Sequence, residues 1–141
     1  MSLPARQIIA TLKLTRFSVA IGAIADIWLV LVLTKHDSSY VGTSIYLLPW
    51  WSSLLATAVV AIGICGFAVA LNDTMDARHD STFHPNKPIP SGWIPIAQAV
   101  VLMVSSLLIA LLAASFLGAW PVRMGLLTAA AILFYNVVGK H

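Results

Sequence analysis

Four long apolar runs divide the chain, and its polar residues collect between them. A helix needs about 20 apolar residues to cross the hydrocarbon of a bilayer. The first run, residues 17–33 (FSVAIGAIADIWLVLVL), is interrupted only by Asp26, and the second, residues 51–71, carries no charge. The third covers residues 94–114 and the fourth about residues 119–138. Pro49, Pro95 and Pro121 stand near the starts of runs, where a missing backbone N–H does no harm. Trp50, Trp51, Trp93 and Trp120 stand at the edges, as interfacial aromatics do. The pattern predicts an all-α integral membrane protein of about four transmembrane helices, forming a single domain over residues 1–141.

Composition agrees with lipid as the solvent. Hydrophobic residues make up 60% of the chain and charged residues 9%, whereas soluble domains are about 45–50% apolar and about 25% charged. Glu is absent. The net charge of +3 comes from eight scattered Lys and Arg, which form no basic stripe and argue against a nucleic-acid partner. Cys65 is the single cysteine, so it forms no disulfide within the chain, and its apolar surroundings make it a small core residue. The first run is too long for a signal peptide's apolar region and lacks an A-x-A site after it, so it is expected to be retained. Residues 3–16 mix Arg6, Lys13 and Arg16 with Ile8, Ile9, Leu12 and Leu14, a pattern that suits an amphipathic helix on the membrane surface. With the N-terminus inside, Arg6, Lys13, Arg16, Arg78, Lys87 and Lys140 are cytoplasmic and only Lys35 and Arg123 are outside. The inside-positive bias therefore puts both termini and the polar loop 72–92 on the cytoplasmic side.

That loop carries the candidate chemistry. Three of the five acidic residues fall in the string NDTMDARHD that closes the second run. On a continuous helix Asn72, Asp76 and Asp80 recur at i, i+4 and i+8, with Asp73 three residues from Asp76, so all four share one face. Carboxylates on one face repel, and a divalent cation removes that repulsion. An oxygen-only ligand set points to a hard ion, with Mg2+ favoured over Ca2+ because it takes one or two carboxylates and completes its shell with water and phosphate oxygens. Arg78 and Lys87 would supply charge-assisted donors to a diphosphate, while serving also as part of the inside-positive bias. His79 and His84 are secondary candidates as metal ligands or acid/base groups. The bland alternative is a solvated helix end, which the gathering of most of the chain's few acids on one face disfavours.

Asn72-Asp73-x-x-Asp76-x-x-x-Asp80, followed by Asn86-Lys87-Pro88-Ile89-Pro90-Ser91-Gly92, resembles the UbiA superfamily of membrane prenyltransferases. There the first Asp-rich motif closes the second transmembrane helix and a basic-Pro-x-Pro-Ser-Gly segment follows. Leu14-Thr15-Arg16 before the first run and Tyr135-Asn136 with Lys140 after the fourth add to the likeness, and Ala23-Ile24-Ala25-Asp26 is similar to a bacterial branch of the family. The resemblance implies an isoprenyl diphosphate bound through Mg2+ and a prenyl group passed to an aromatic or lipid acceptor in a bacterial plasma membrane. It implies that Asn72, Asp73, Asp76 and Asp80 form the first metal site, with Asp73, Asp76 and Asp80 catalytic. Arg78, Lys87, Tyr135 and Lys140 would contact the diphosphate.

The likeness covers the first half of a nine-helix bundle. The family's second Asp-rich motif has no counterpart, since Asp26 and Asp37 have no acidic partner at i+3 or i+4. The expectation is a truncated chain, inactive alone and requiring a missing C-terminal half. Asp26, in the middle of a span, would cost about 2.5–3.5 kcal/mol if charged and facing lipid, so it is expected to face the bundle interior or be protonated. Three rival readings stand beside this one. A CDP-alcohol phosphotransferase would need an Asp-Gly and a later acidic pair, which the sequence lacks. A small divalent-cation-binding or transport protein without catalysis, or a ligand-free scaffold, would need no diphosphate.

Overall fold

The computed structural model describes residues 17–139. The proposed surface helix over residues 3–16 and the candidate Lys140 lie outside the described residues. Four long helices carry the fold: α1 (Phe17–His36), α3 (Trp50–Met75), α5 (Ile96–Leu117) and α6 (Ala119–Phe134). A 3-10 turn (Ser38–Tyr40) and the short α2 (Ser44–Leu47) link α1 to α3, and α4 (Ala77–Phe83) follows α3 after a break at Asp76. A π-helical turn, Tyr135–Gly139, continues α6, so the last apolar element runs from Ala119 to Gly139. All four are long and apolar enough to cross a membrane, and no strand occurs among the described residues.

The helix ends follow from local chemistry. Pro49 caps α3 and Pro95 caps α5 in extended conformations, which moves the start of the third run from residue 94 to Ile96. At about 1.5 Å per residue, 20 residues from Trp50 already span the hydrocarbon. The last turn of α3, Asn72–Met75, is therefore carried into the interface.

α3 is the central helix. It packs on α5 over its greatest length, on α1 along another side, and on α6 near its end. Small residues allow this: Gly63, Gly66 and Ala70 of α3 and Ala110 and Ala114 of α5 are all buried. Where lipid tails surround helices, close packing of this kind replaces the hydrophobic effect as the force between them. The outward faces carry large apolar side chains such as Leu33, Leu55, Leu112 and Phe116, as lipid-facing surfaces should. The Trp28 indole N–H donates to Leu54 O (3.1 Å), tying α1 to α3.

Of the two alternatives expected for Asp26, the structure does not show the first: the residue is exposed on α1 and does not face the interior of these four helices. α1 is apolar all round, so its hydrophobic pattern does not select a packing face. Contacts with α3 bury Ala20 and Leu31 instead.

At the opposite end of the bundle from the acidic string, Asp37 caps the 3-10 turn. The Ser39 hydroxyl and then the Ser39 backbone N–H donate to its Oδ1, and together they hold the carboxyl below its ordinary range against a weaker upward push from burial. A depressed carboxylate favours the folded turn above its unfolded pKa, and that preference is lost as pH falls through the folded value. Ser39→Ala is expected to move the Asp37 titration upward toward the usual carboxylate value in a 13C NMR titration. An unchanged midpoint would mean that the Ser39 hydroxyl does not hold the carboxyl down.

Candidate functional site

The acidic string folds as a broken helix. α3 ends at Met75, and Asp76 (φ −82°, ψ −4°) is the joint from which α4 departs. The single face expected from i, i+4, i+8 spacing is thereby divided into two linked groups.

In the first group, the Asn72 amide nitrogen lies 3.4 Å from Asp73 Oδ1 and 3.2 Å from Asp76 Oδ2. In the second, Lys87 Nζ lies 2.7 Å from Asp80 Oδ2 and 3.9 Å from Asp73 Oδ1, and His84 Nδ1 lies 3.3 Å from Asp80 Oδ1. Asp73 is shared by both groups. It is 7% exposed and Asp80 3% exposed, so both carboxylates must be balanced by charge or hydrogen bonds.

Lys87 reaches back because its loop is tightly folded. Lys87 N–H donates to His84 O, Ser91 N–H to Lys87 O, Gly92 N–H to Ile89 O and Ile94 N–H to Pro88 O. Gly92 has φ +74°, a left-handed conformation that glycine adopts without penalty. The turn drops Ile94 into a small core with Ile89, Ala99 and Leu102, anchoring the loop to α5.

Of the remaining candidates, Arg78 stays on the exposed side of α4. His79 stacks on Phe83 at 4.6 Å and takes no role in the cluster. Tyr135 stands across from Asn72 at the end of α6: both line a cavity of about 680 Å3 between α3 and α6, with Ala68, Val69, Thr128, Ala131, Ile132 and Asn136. On the loop side of the string, Asp73, His84, Asn86 and Lys87 help line a second cavity of about 420 Å3. Thr128 also borders a long apolar groove of about 440 Å3 between α1, α3 and α6, lined by Ile27, Ile64, Met124 and neighbouring residues. Asn136 entered the sequence analysis as part of the likeness at Tyr135, and with Asp26 it is one of the few intramembrane polar residues a cation-binding protein could use. The signal for a further role was a lone amide at the end of an apolar run.

The donor chemistry fits a hard cation. Among the described residues no three His, Cys, Asp or Glu side chains gather closely enough to hold a metal ion by themselves. The three carboxylates of the string thus do not gather around a single point. Asp73 and Asp76 do converge on the Asn72 amide. Turning that amide over would present its oxygen beside the two carboxylates, a set of the size Mg2+ takes when water and phosphate complete the shell.

An apolar helical bundle with a carboxylate and amide cluster at the end of α3 defines a membrane protein with a charged site at one end of its spans. Residues 38–141 match the UbiA prenyltransferase family, and the chain belongs to it. It is 32% identical over 93 residues to the bacteriochlorophyll synthase 33 kDa chain of Rhodobacter capsulatus, covering 63% of this chain and 31% of that protein. It is 30% identical over 98 residues to the digeranylgeranylglyceryl phosphate synthase of Metallosphaera sedula, covering 70% and 34%. With the synthase of the same name from Methanococcus aeolicus it shares 40% over 62 residues, covering 41% and 22%. The chain therefore spans about a third or less of the length of these relatives. A solved structure described as giving structural and mechanistic insights into the biosynthesis of digeranylgeranylglyceryl phosphate synthase in membranes superposes on 95% of this chain and 44% of its own, with TM-score 0.74 and 22% identity. The bundle thus has the fold of part of a membrane prenyltransferase.

Proposed function

We propose that this chain binds an isoprenyl diphosphate with Mg2+ and serves in transferring the prenyl group to an aromatic or lipid nucleophile. The observation that carries this reading is the convergence of Asn72, Asp73 and Asp76 at the end of α3, beside a cavity that shares Thr128 with an apolar groove. Asp73 and Asp76 with Asn72 would hold the metal, and Asp80 would act with them through Asp73 and Lys87. A bound Mg2+ supplies charge neutralisation for the departing pyrophosphate. Lys87 would donate to a diphosphate oxygen, with Arg78, Tyr135 and Lys140 approaching from the surrounding elements. The apolar groove would take the prenyl chain and keep water from an allylic centre as the carbon–oxygen bond breaks and the acceptor's bond forms. The cluster and both ends of the chain are assigned to the cytoplasmic face of a bacterial plasma membrane on the inside-positive bias. A single acidic string holds half of what the family uses, so we expect binding by these 141 residues and little or no turnover.

The test uses the chain reconstituted in nanodiscs, Mn2+ as a paramagnetic stand-in, and farnesyl thiopyrophosphate. Electron paramagnetic resonance is expected to show Mn2+ held much more tightly when the analogue is present than alone. Mn2+ binding that ignores the analogue would favour a simple cation-binding protein and end this proposal.

Lys87 offers a second measurement. Its ammonium occupies the place between Asp80 and Asp73 that a cation would favour. Lys87→Gln is expected to let Mn2+ alone bind somewhat tighter while weakening Mn2+–analogue binding roughly tenfold, the worth of one charge-assisted hydrogen bond. A change of the same sign in both titrations would contradict a donor role for Lys87.

A further inference from the structure

The last span changes register where α6 ends. In a regular α-helix Ile132 O would receive the N–H of residue 136. Here it is reached by the Tyr135 N–H, which is shared with Ala131 O, and by the Asn136 side-chain nitrogen at 2.9 Å. Residues Tyr135–Gly139 then form a π-turn. A side chain inserted into the i→i−4 ladder distorts a helix in this way, and π-turns in helices are frequent at functional sites.

The wedge has a cost. Asn136 is 4% exposed, and its nitrogen faces a carbonyl oxygen, so the amide cannot be turned over. Its Oδ1 is left buried with no hydrogen-bond partner among the described residues, which is unfavourable. Leucine has nearly the same shape and would leave no polar atom unpaired. What the wide turn presents in return is Tyr135. A Cβ at Gly139 would meet the Tyr135 ring at 3.2 Å, so the ring lies in space that a side chain at residue 139 would take. Tyr135 and Asn72, the first residue of the acidic string, line the same cavity. Relaxed to α geometry, each residue of the turn would advance by about 100°, a larger step than in a π-turn. Gly139 would then swing from beside the ring.

We propose that Asn136 is a positioning residue, whose amide wedges the turn open at Ile132 O and so holds the Tyr135 ring at the cavity beside Asn72. This rests on the prenyl-transfer reading above, in which Tyr135 approaches the diphosphate. Asn136 touches no substrate; it acts through Tyr135.

The experiment uses the chain labelled with 3-fluorotyrosine in nanodiscs and reads it by 19F NMR. Tyr40 and Tyr46 stand at the opposite end of the bundle from the acidic string and serve as internal references, and Tyr135→Phe assigns the third signal. In native protein, Mn2+ with farnesyl thiopyrophosphate is expected to broaden Tyr135 and spare the other two. Asn136→Leu should move the Tyr135 resonance even without ligand and weaken Mn2+–analogue binding roughly tenfold, the worth of one hydrogen bond. Its resistance to SDS should be no lower than native, because the unpaired oxygen is gone. Asn136→Ser should restore the native resonance and affinity, since a serine hydroxyl can donate to the i−4 carbonyl. A Tyr135 signal and an affinity that ignore Asn136→Leu would overturn the assignment. So would a destabilised or unfolded Asn136→Leu, which would make the amide a plain support of the helix end, or a serine variant that behaves like leucine. Native protein that binds no Mn2+–analogue would sink the prenyl-transfer reading, and the ligand-free Tyr135 shift would still decide the wedge.

Discussion

Asp73→Asn is expected to weaken Mn2+-dependent binding of farnesyl thiopyrophosphate by about a hundredfold, the upper end of what is lost when even an outer partner of a metal ligand is removed. Asp73 is the side chain common to both halves of the cluster, next to the Asn72 amide on one side and Lys87 on the other. The substitution is isosteric, so packing at the end of α3 is preserved while one negative charge and one carboxylate oxygen are lost. The variant's lone Lys87 pairing would pass wholly to Asp80, at 2.7 Å already its nearer partner. Asp80→Asn, by contrast, should reduce binding less, because Asp80 meets the first group only through Lys87 and Asp73. Electron paramagnetic resonance on the two variants side by side gives the comparison. Equal losses would indicate general electrostatics and no particular coordination, and an unaffected Asp73→Asn would remove the string from any role in binding.

The bundle was legible in the sequence because lipid leaves little choice. An apolar run of some twenty residues has to satisfy its backbone internally, so the four runs, their prolines and their interfacial tryptophans are enough to place α1, α3, α5 and α6. The site was legible as a list of residues but less so as a geometry. Counting along the string assumes one continuous helix, and the break at Asp76 turns Asp80 toward the loop and into the company of Lys87 and His84. That return of Lys87 depends on the turn closed by Gly92 and the burial of Ile94, contacts between residues whose pairing spacing does not reveal. The side of α1 that carries Asp26 was not legible for a similar reason. A helix apolar on every side gives no clue to which face meets α3, and the small residues of α3 decide it. Asn136 was visible as a letter beside Tyr135, but its weight comes from an orphaned oxygen that only packing exposes.

Gly63 carries the largest expected effect on the bundle itself. A Cβ at this position would meet Ser106 O and Ala110 Cβ each at 2.7 Å, and Ala110 Cα at 3.2 Å. Two of these three atoms are backbone and cannot rotate away, so α3 and α5 would have to separate. At Gly66 the nearest atom is the Ser106 hydroxyl at 3.0 Å, the free end of a side chain. Replacing glycine by alanine within a helix gains about 1 kcal/mol of propensity, which offsets a mild clash but not a backbone one. Gly66→Ala is therefore expected to be near neutral and Gly63→Ala destabilising, with Gly63→Leu losing about 3 kcal/mol from overpacking. Reversible unfolding in mixed detergent micelles by increasing SDS fraction measures the order. Separation of α3 from α5 would also slacken the loop that runs from α4 to α5, and with it the hold of Lys87 on Asp80. Gly63→Leu should therefore lose Mn2+–analogue affinity even in micelles where helix content is intact, although residue 63 lies more than two helical turns from Asn72. Native-like unfolding of Gly63→Leu would show that the α3–α5 seam is looser than its distances state. A destabilised variant that kept full Mn2+–analogue affinity would show instead that the cluster is held by α3 and α4 alone.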